Sequence, residues 1–408
     1  MDANVDASAA VAARRFGTPA YVYDLDEVGG RYRALRAAIP DRFEIFYAVK
    51  ANPCRAILHL LAREGAGADV ASEGELAVAR DAGIPAERLV VTGPAKSDAL
   101  LAAAVDAGVA AIHVEGPHEL VRIDALASAA RRVQTVTLRL NPGWGIAERK
   151  RIIGGPGAHK FGMDLRTAER VLRERAALEN VAIAGTQIFN ASNVLDADLL
   201  AANAGKVLAL ARRLARKHGY PLRVVDFGGG LGIPYRDDEE PLDAARLGRL
   251  LARHASTVDR RTRLILEPGR FVVGPCGRYV TRVVEVKVTR GVRHVLVDGG
   301  VHHLLRPALF ASPHRVRAVH PRPGKVTPAC IGGPLCTSLD VLHPSAPLPP
   351  VEPGDLLAIS DTGAYGYTES MPLFLSHPWP QEIGLRGGRA RRLRRTPPVR
   401  ALVAAQSV

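Results

Sequence analysis

The chain reads as an α/β barrel over residues 27–275 followed by an all-β domain over 276–384. Two observations separate them. Eight short β-type runs alternate with helical patterns between residues 44 and 267, whereas beyond residue 270 the texture turns to β-branched alternation broken by Pro-rich loops. A third sets the scale: 408 residues, 47% hydrophobic and 24% charged, exceed the length at which a single hydrophobic core stops growing.

The expected barrel strands are 44–49, 68–71, 89–92, 111–115, 135–141, 181–189, 222–227 and 263–267. Eight strand–helix alternations in a span of that length are the signature of a (β/α)8 barrel. A doubly wound open sheet, the competing layout, needs a strand-order reversal that nothing in the sequence indicates. Ser72 and Glu75 form a capping box ahead of a helix over 76–82. Segments 166–178 and 199–218 carry Leu, Ala and Val at helical spacing with Arg on the opposite face. After the barrel, 279–289, 293–298 and 355–360 alternate as strands do, with a Pro-rich loop at 344–353. Residues 1–26 form an N-terminal segment whose short strand near 20–23 is expected to join the β-domain. Residues 385–408 are expected to be a flexible, solvated, Arg-rich tail.

Composition excludes several classes. In the N-terminal segment Arg14 and Arg15 follow the alanines instead of preceding them and no long apolar core is present, so it does not read as a signal peptide. Asp106 interrupts the most apolar stretch, 99–114, so no run approaches a membrane span. Cys54, Cys276, Cys330 and Cys336 lack CxxC spacing, which fits neither a disulfide framework nor a zinc site; a reducing cytoplasm is the expected compartment. The formal charge of +14 invites a nucleic-acid reading, but Arg386, Arg389, Arg391, Arg392, Arg394, Arg395 and Arg400 supply half of it without interleaved aromatics for base stacking.

In a barrel of this kind reactive groups collect on the loops after the strands. Lys50 follows the first, in a chain with eight lysines among its 55 basic residues, and is a Schiff-base candidate. Asp69 and Ser72 follow the second and 190–193 the sixth. Gly228, Gly229 and Gly230 follow the seventh, where backbone N–H groups can approach an anion; a tight turn without a ligand is the other reading of such a triplet. Glu267, Gly269 and Arg270 follow the eighth. Glu267 beside Arg270 reads either as a structural ion pair or, opposite a lysine and a phosphate cradle, as the acid that keeps a pyridine nitrogen protonated. Lysine, phosphate site and pyridine partner together describe pyridoxal 5'-phosphate (PLP).

The ordered strings YAVKAN (47–52), HKFGMD (159–164), VVDFGGGLGIPY (224–235), EPGR (267–270), VDGGVHHLLRPALF (297–310), GPLCTSLD (333–340) and DTGAYGY (361–367) resemble the fold type III PLP decarboxylases. That family comprises the ornithine, arginine and diaminopimelate decarboxylases, with an alanine racemase-like barrel and β-domain. The resemblance runs in order from about residue 18 to 383. It implies that Lys50 carries the cofactor as a Schiff base and that Gly228 to Gly230 with Ser192 hold the phosphate. Glu267 would pair with the ring nitrogen, Arg270 assist phosphate or substrate carboxylate, and Asp69 lie near the cofactor edge. It further implies a homodimer with shared sites, in which the β-domain contributes Cys336 and Tyr365 across the interface. Cys336 would return a proton to the quinonoid carbanion after CO2 leaves. A buried, inert cysteine is the alternative reading of Cys336.

Departures from the diaminopimelate pattern bear on substrate. Phe189 stands where a histidine usually stacks on the cofactor, Thr337 where an acid follows the reactive cysteine, and Phe310 where a tyrosine closes RPAL; the Tyr-Asn near the end is replaced around 371–374. Phe189 can still stack. Thr337 cannot pair with a distal ammonium. Arg306 remains for a substrate carboxylate, with Phe310, Asp340 and Tyr365 as further expected substrate neighbours. Phe189, the GPAK string at 93–96 and the FLSHPWPQEI ending resemble branches from natural-product, siderophore and exopolysaccharide pathways. The expected activity is therefore decarboxylation of an amino acid or of a citrate- or carrier-protein-conjugated one. Diaminopimelate decarboxylase, an amino-acid racemase and a non-catalytic relative are the alternatives. No metal, nucleic acid or membrane is expected.

Overall fold

The computed structural model describes residues 2–147 and 160–405. Its chain divides into two compact units, one of residues 29–233 and 240–271 and the other of residues 1–28, 234–239 and 272–408.

The first unit is a closed barrel of eight parallel strands: Phe43–Ala48, Gly67–Val70, Leu89–Val91, Ala111–Val114, Gln134–Arg139, Val181–Gln187, Val224–Asp226 and Arg263–Leu266. They follow one another round the barrel in chain order, and the last closes on the first with Leu264 opposite Phe43. Each expected strand is present within a few residues. The alternating pattern of strands and helices is legible because a helix stands between each strand and the next.

Phe46, Val90, Ala111, Ala184, Val224 and Ile265, from six different strands, pack in one cluster, which only the barrel interior can gather. Gly67 belongs to the same layer: a Cβ there would lie 2.7 Å from the Phe46 ring, so the large ring fills the space that glycine leaves. Side chains two residues further along a strand point to the same face. The next layer is therefore Ala48, Asp69, Thr92, His113, Thr186, Asp226 and Glu267, all buried. An apolar layer thus supports a polar one at the C-terminal ends of the strands.

The helices begin as their caps dictate. Ser72 Oγ accepts from Glu75 N at 3.1 Å, and the Glu75 carboxylate accepts from Ala71 N at 2.7 Å, opening the helix Glu73–Asp81. Asp196 caps Ala197–His218, which ends at Gly219 in the left-handed region.

The second unit is built on a nine-stranded mixed sheet. Ala20–Asp24 lies inside it, antiparallel to Gly277–Thr289 and parallel to Gln381–Arg386. The helix Asp2–Phe16 covers this region: Ala9, Ala10, Ala12 and Ala13 pack on Ala20, Val22, Val280, Leu356 and Ile383. Its Asp6 pairs with Arg278 at 2.9 Å, both buried.

Two expectations about boundaries need correction. The excursion 234–239 and residues 272–275 belong to the β-unit, not to the barrel. Nor is 385–408 simply a flexible tail: Gln381–Arg386 and Arg389–Arg394 form an antiparallel pair, and Val399–Ala404 is helical. Gly387 and Gly388, at φ +53° and +72°, supply the two-residue hairpin turn. Arg394 then pairs with buried Glu382 at 2.5 Å, so a basic run that looks solvated by composition is an edge strand. Among the described residues no helix is long and apolar enough to cross a membrane.

Candidate active site

The first barrel strand runs into a single 3-10 turn, Val49–Ala51, whose apolar flanks are buried while Lys50 stays about one-third exposed. Lys50 Nζ donates to Asp69 Oδ2 at 2.6 Å and lies 5.5 Å from the Phe189 ring centre. Burial raises the Asp69 pKa, the nearby Glu267 charge adds to that, and Lys50 opposes it. Gly269 packs on the Lys50 turn, where a Cβ would sit 2.9 Å from Ala51 Cβ, and Ala48 N donates to Pro268 O at 3.2 Å. The EPGR loop is thereby held against the lysine. Arg270, at its end, is buried.

Gly228 and Gly230 adopt φ of +65° and +98°. Close approach forbids side chains here. A Cβ on Gly228 would meet Phe189 Cδ2 at 2.8 Å, one on Gly229 would meet Glu267 O at 2.4 Å, and one on Gly230 would meet Ala191 Cβ at 2.7 Å. Ala191 lies against Gly230 and Val194 N donates to Gly230 O at 2.8 Å, so the segment bearing Ser192 runs beside this loop. The structure therefore gathers Lys50, Asp69, Phe189, Ser192, Gly228 to Gly230, Glu267, Gly269 and Arg270 within the barrel unit. His159 of HKFGMD lies outside the described residues.

At the centre is a group that the sequence reading did not single out. His113 Nε2 lies 3.2 Å from Asp226 Oδ2 and 3.4 Å from Glu267 Oε1, with all three side chains buried. These distances bring the charges together, yet none of the three atoms makes a well-directed hydrogen bond. His113 Nδ1 contacts Thr137 Oγ1, its cross-strand neighbour, and Gln187 Nε2 donates to Glu267 Oε2 at 3.2 Å. Burial disfavours the charged imidazole, but the Asp226 and Glu267 carboxylates that face it outweigh this and raise the His113 pKa to about 9. Burial raises Glu267 as well, Asp226 adds to the rise, and His113 opposes it. A usable signal was present in the sequence: polar residues two positions beyond the inward apolar ones at the strand ends. Lys96 of GPAK is also buried, donating to His113 O at 2.7 Å and Glu119 Oε1 at 2.8 Å.

The β-unit holds the remaining expected residues. Arg306 is buried at the start of the short helix Arg306–Phe310, paired with Glu369 at 3.0 Å, its guanidinium 4.6 Å from the Phe310 ring centre and 5.0 Å from that of Tyr365. Tyr365 adopts φ +54°, an uncommon conformation for a bulky residue. The Asp340 carboxylate accepts from Val301 N at 2.8 Å and Leu335 N at 2.7 Å. It therefore pins the loop bearing Cys336 and Thr337, a structural task where a substrate contact was expected. Cys336 is exposed, so the reading of a buried, inert thiol does not hold. Thr337 is half-buried beside it.

The barrel residues fit PLP on their own chemistry. Lys50 offers an accessible amine beside a carboxylate, three glycines form a cradle that admits no Cβ, and Glu267 Oε1 is a buried acceptor without a well-directed donor, which a ring N–H would satisfy. Comparison with known proteins agrees. The family described as "Pyridoxal-dependent decarboxylase, pyridoxal binding domain" matches residues 25–274, more than half the chain. A diaminopimelate decarboxylase of Aquifex aeolicus is 35% identical over 359 residues, 88% of this chain and 84% of its own. The L-glutamyl-[BtrI acyl-carrier protein] decarboxylase of Niallia circulans is 32% identical over 405 residues, 96% of this chain and 94% of its own. Among solved structures, the Helicobacter pylori diaminopimelate decarboxylase complexed with L-lysine superposes with a TM-score of 0.88 at 30% identity, covering 95% of this chain and 96% of that one. The chain belongs to the pyridoxal-dependent decarboxylases and is a PLP-dependent carboxy-lyase acting on an amino acid.

Proposed function

We propose that this decarboxylase removes the α-carboxylate of an amino acid presented as a conjugate, on a carrier protein or joined to citrate, with two subunits completing each other's sites. Lys50 holds the cofactor, Gly228 to Gly230 with Ser192 and Arg270 bind its phosphate, and Phe189 covers the ring face. Glu267 keeps the ring nitrogen protonated. Bound PLP supplies the electron sink for the charge left at Cα. The partner's β-unit contributes the Cys336 thiol as proton donor and Tyr365 and Arg306 at the substrate's edge.

Support for the barrel roles comes from one observation above all: Lys50 donates to Asp69 of the buried layer that also holds Glu267, and Gly229 of the cradle abuts the Glu267 backbone. Support for a conjugated substrate comes from Thr337, which puts a hydroxyl beside Cys336 where a free diamino acid needs a carboxylate for its distal ammonium. One relative aligned over almost the whole chain is a glutamyl-carrier-protein decarboxylase. A second reading, meso-diaminopimelate decarboxylation, has its own support in the Aquifex aeolicus relative and the lysine-bound neighbour. CO2 release separates them when PLP-loaded protein is given meso-diaminopimelate, free glutamate, a glutamyl carrier protein and citryl conjugates. A kcat/KM for a conjugate at least tenfold above that for diaminopimelate, about 1.4 kcal/mol of discrimination, is expected. The reverse order establishes the second reading.

A further inference from the structure

We propose that His113 is a positioning residue for Glu267: an imidazolium held between the Asp226 and Glu267 carboxylates keeps Glu267 anionic at the place where it meets the ring nitrogen. This rests on the proposed role of Glu267.

The case is one of charge balance in a dry layer. Asp69, Asp226 and Glu267 are each no more than 2% exposed, at the ends of three barrel strands. Buried carboxylates take up a proton unless a cation faces them. Lys50 faces Asp69. Among the described residues the group that faces both Asp226 and Glu267 is His113, at 3.2 and 3.4 Å. Its other nitrogen meets the Thr137 hydroxyl, an oxygen able to accept, so both ring nitrogens can carry protons at once, which describes the cation. The position is imposed by the fold. His113 and Thr137 are register partners on adjacent strands, Ala111 supports His113 from the layer below, and Val224 and Ile265 likewise support Asp226 and Glu267. Titratable and charged groups acting at this point are Asp69, Asp226, Glu267, Lys50, whose charge reaches both Asp69 and Glu267, and Arg263, whose charge reaches Asp226. The raised pKa of His113 agrees with the geometry.

The consequence is directional. Without the imidazolium, Glu267 retains burial and Asp226, both of which raise its pKa, and keeps the weaker Lys50 charge alone to lower it. A protonated Glu267 cannot hold a charged pyridine nitrogen, so a rate should be lost at neutral pH and recovered in alkali, while substrate contacts stay as they were.

The test uses PLP-loaded wild type and His113→Gln. Borohydride trapping of the cofactor on Lys50 in the wild type checks the proposed role of the barrel site first; failure there takes both proposals down and is distinct from a failure confined to the variant. For the variant, the acid limb of the kcat–pH profile should move up by about one unit or more, with kcat at neutral pH down about tenfold or more and KM within about threefold. An unchanged profile with Lys50 still trapped overturns the inference. Should the variant not fold, 15N-histidine NMR of wild-type holoenzyme decides: both His113 ring nitrogens protonated at pH 7.5 supports it, a neutral tautomer overturns it. The same three side chains could ligate a divalent ion in place of a proton. One metal per chain in the active holoenzyme would therefore also overturn it.

Discussion

The two units handle polar chemistry in opposite ways. In the barrel, Asp69, His113, Asp226 and Glu267 are sealed from water, and an apolar layer from six strands holds each in place. In the β-unit, Cys336 is exposed, Thr337 half-buried, and Arg306 is engaged by Glu369 and two aromatic rings. Sealed charges strengthen one another and do not reorganise, which suits the fixed electronic task of holding a cofactor. Half-exposed groups on loops adapt, which suits selection among substrates. On the proposed roles, the cofactor is held by the barrel, while the β-unit supplies the proton donor and the groups that meet the substrate.

That contrast can be broken by mutation. Lys50→Ala should reduce CO2 release by about a thousandfold or more and remove the borohydride-trapped adduct; retained turnover would place the cofactor elsewhere. Cys336→Ala should leave cofactor binding intact while slowing product formation about a hundredfold. Deuterium incorporation at Cα reports this step, and loss of stereospecificity there is the sharper readout. A cysteine variant that fails to bind PLP would instead tie the two units together more closely than proposed. The smallest effect concerns stability. The raised His113 pKa means its stabilising contribution is complete below the unfolded value of 6.5 and is lost as pH rises through about 9. A Tm that falls over that window, and falls less in His113→Gln, is expected from thermal melts at fixed PLP.

Much of the barrel was legible. Each of its strands is a short apolar run closed by a polar or glycine residue, and the eight expected segments overlap the observed ones. Lys50, Gly228 to Gly230 and Glu267 were legible too, because chemistry after a strand end shows up as an abrupt change of residue type. His113 was legible only as a polar residue at a strand end, between Ile112 and Val114 and two positions beyond the inward Ala111; nothing local names its partners. Only closure of the barrel brings it to Asp226 and Glu267, more than a hundred residues away. For Asp340, expected as a substrate neighbour, the fold adds a task that the sequence did not show: its oxygens accept from the Val301 and Leu335 backbone. The Arg-rich end misled because charge count hid a Gly387-Gly388 turn.

Local pattern alone gave the barrel followed by a β-rich part and the strand ends that carry the lysine and the glycine triplet, since short-range periodicity and residue type survive in a linear reading. The decarboxylase family came from the resemblance of its ordered motif strings. Tertiary structure decided which carboxylates share a dry layer, which cation faces them, and that the N-terminal strand and the Arg-rich hairpin complete one sheet. Such facts depend on barrel closure and register, which put residues distant in sequence within a few ångströms, where burial and charge set each other's protonation.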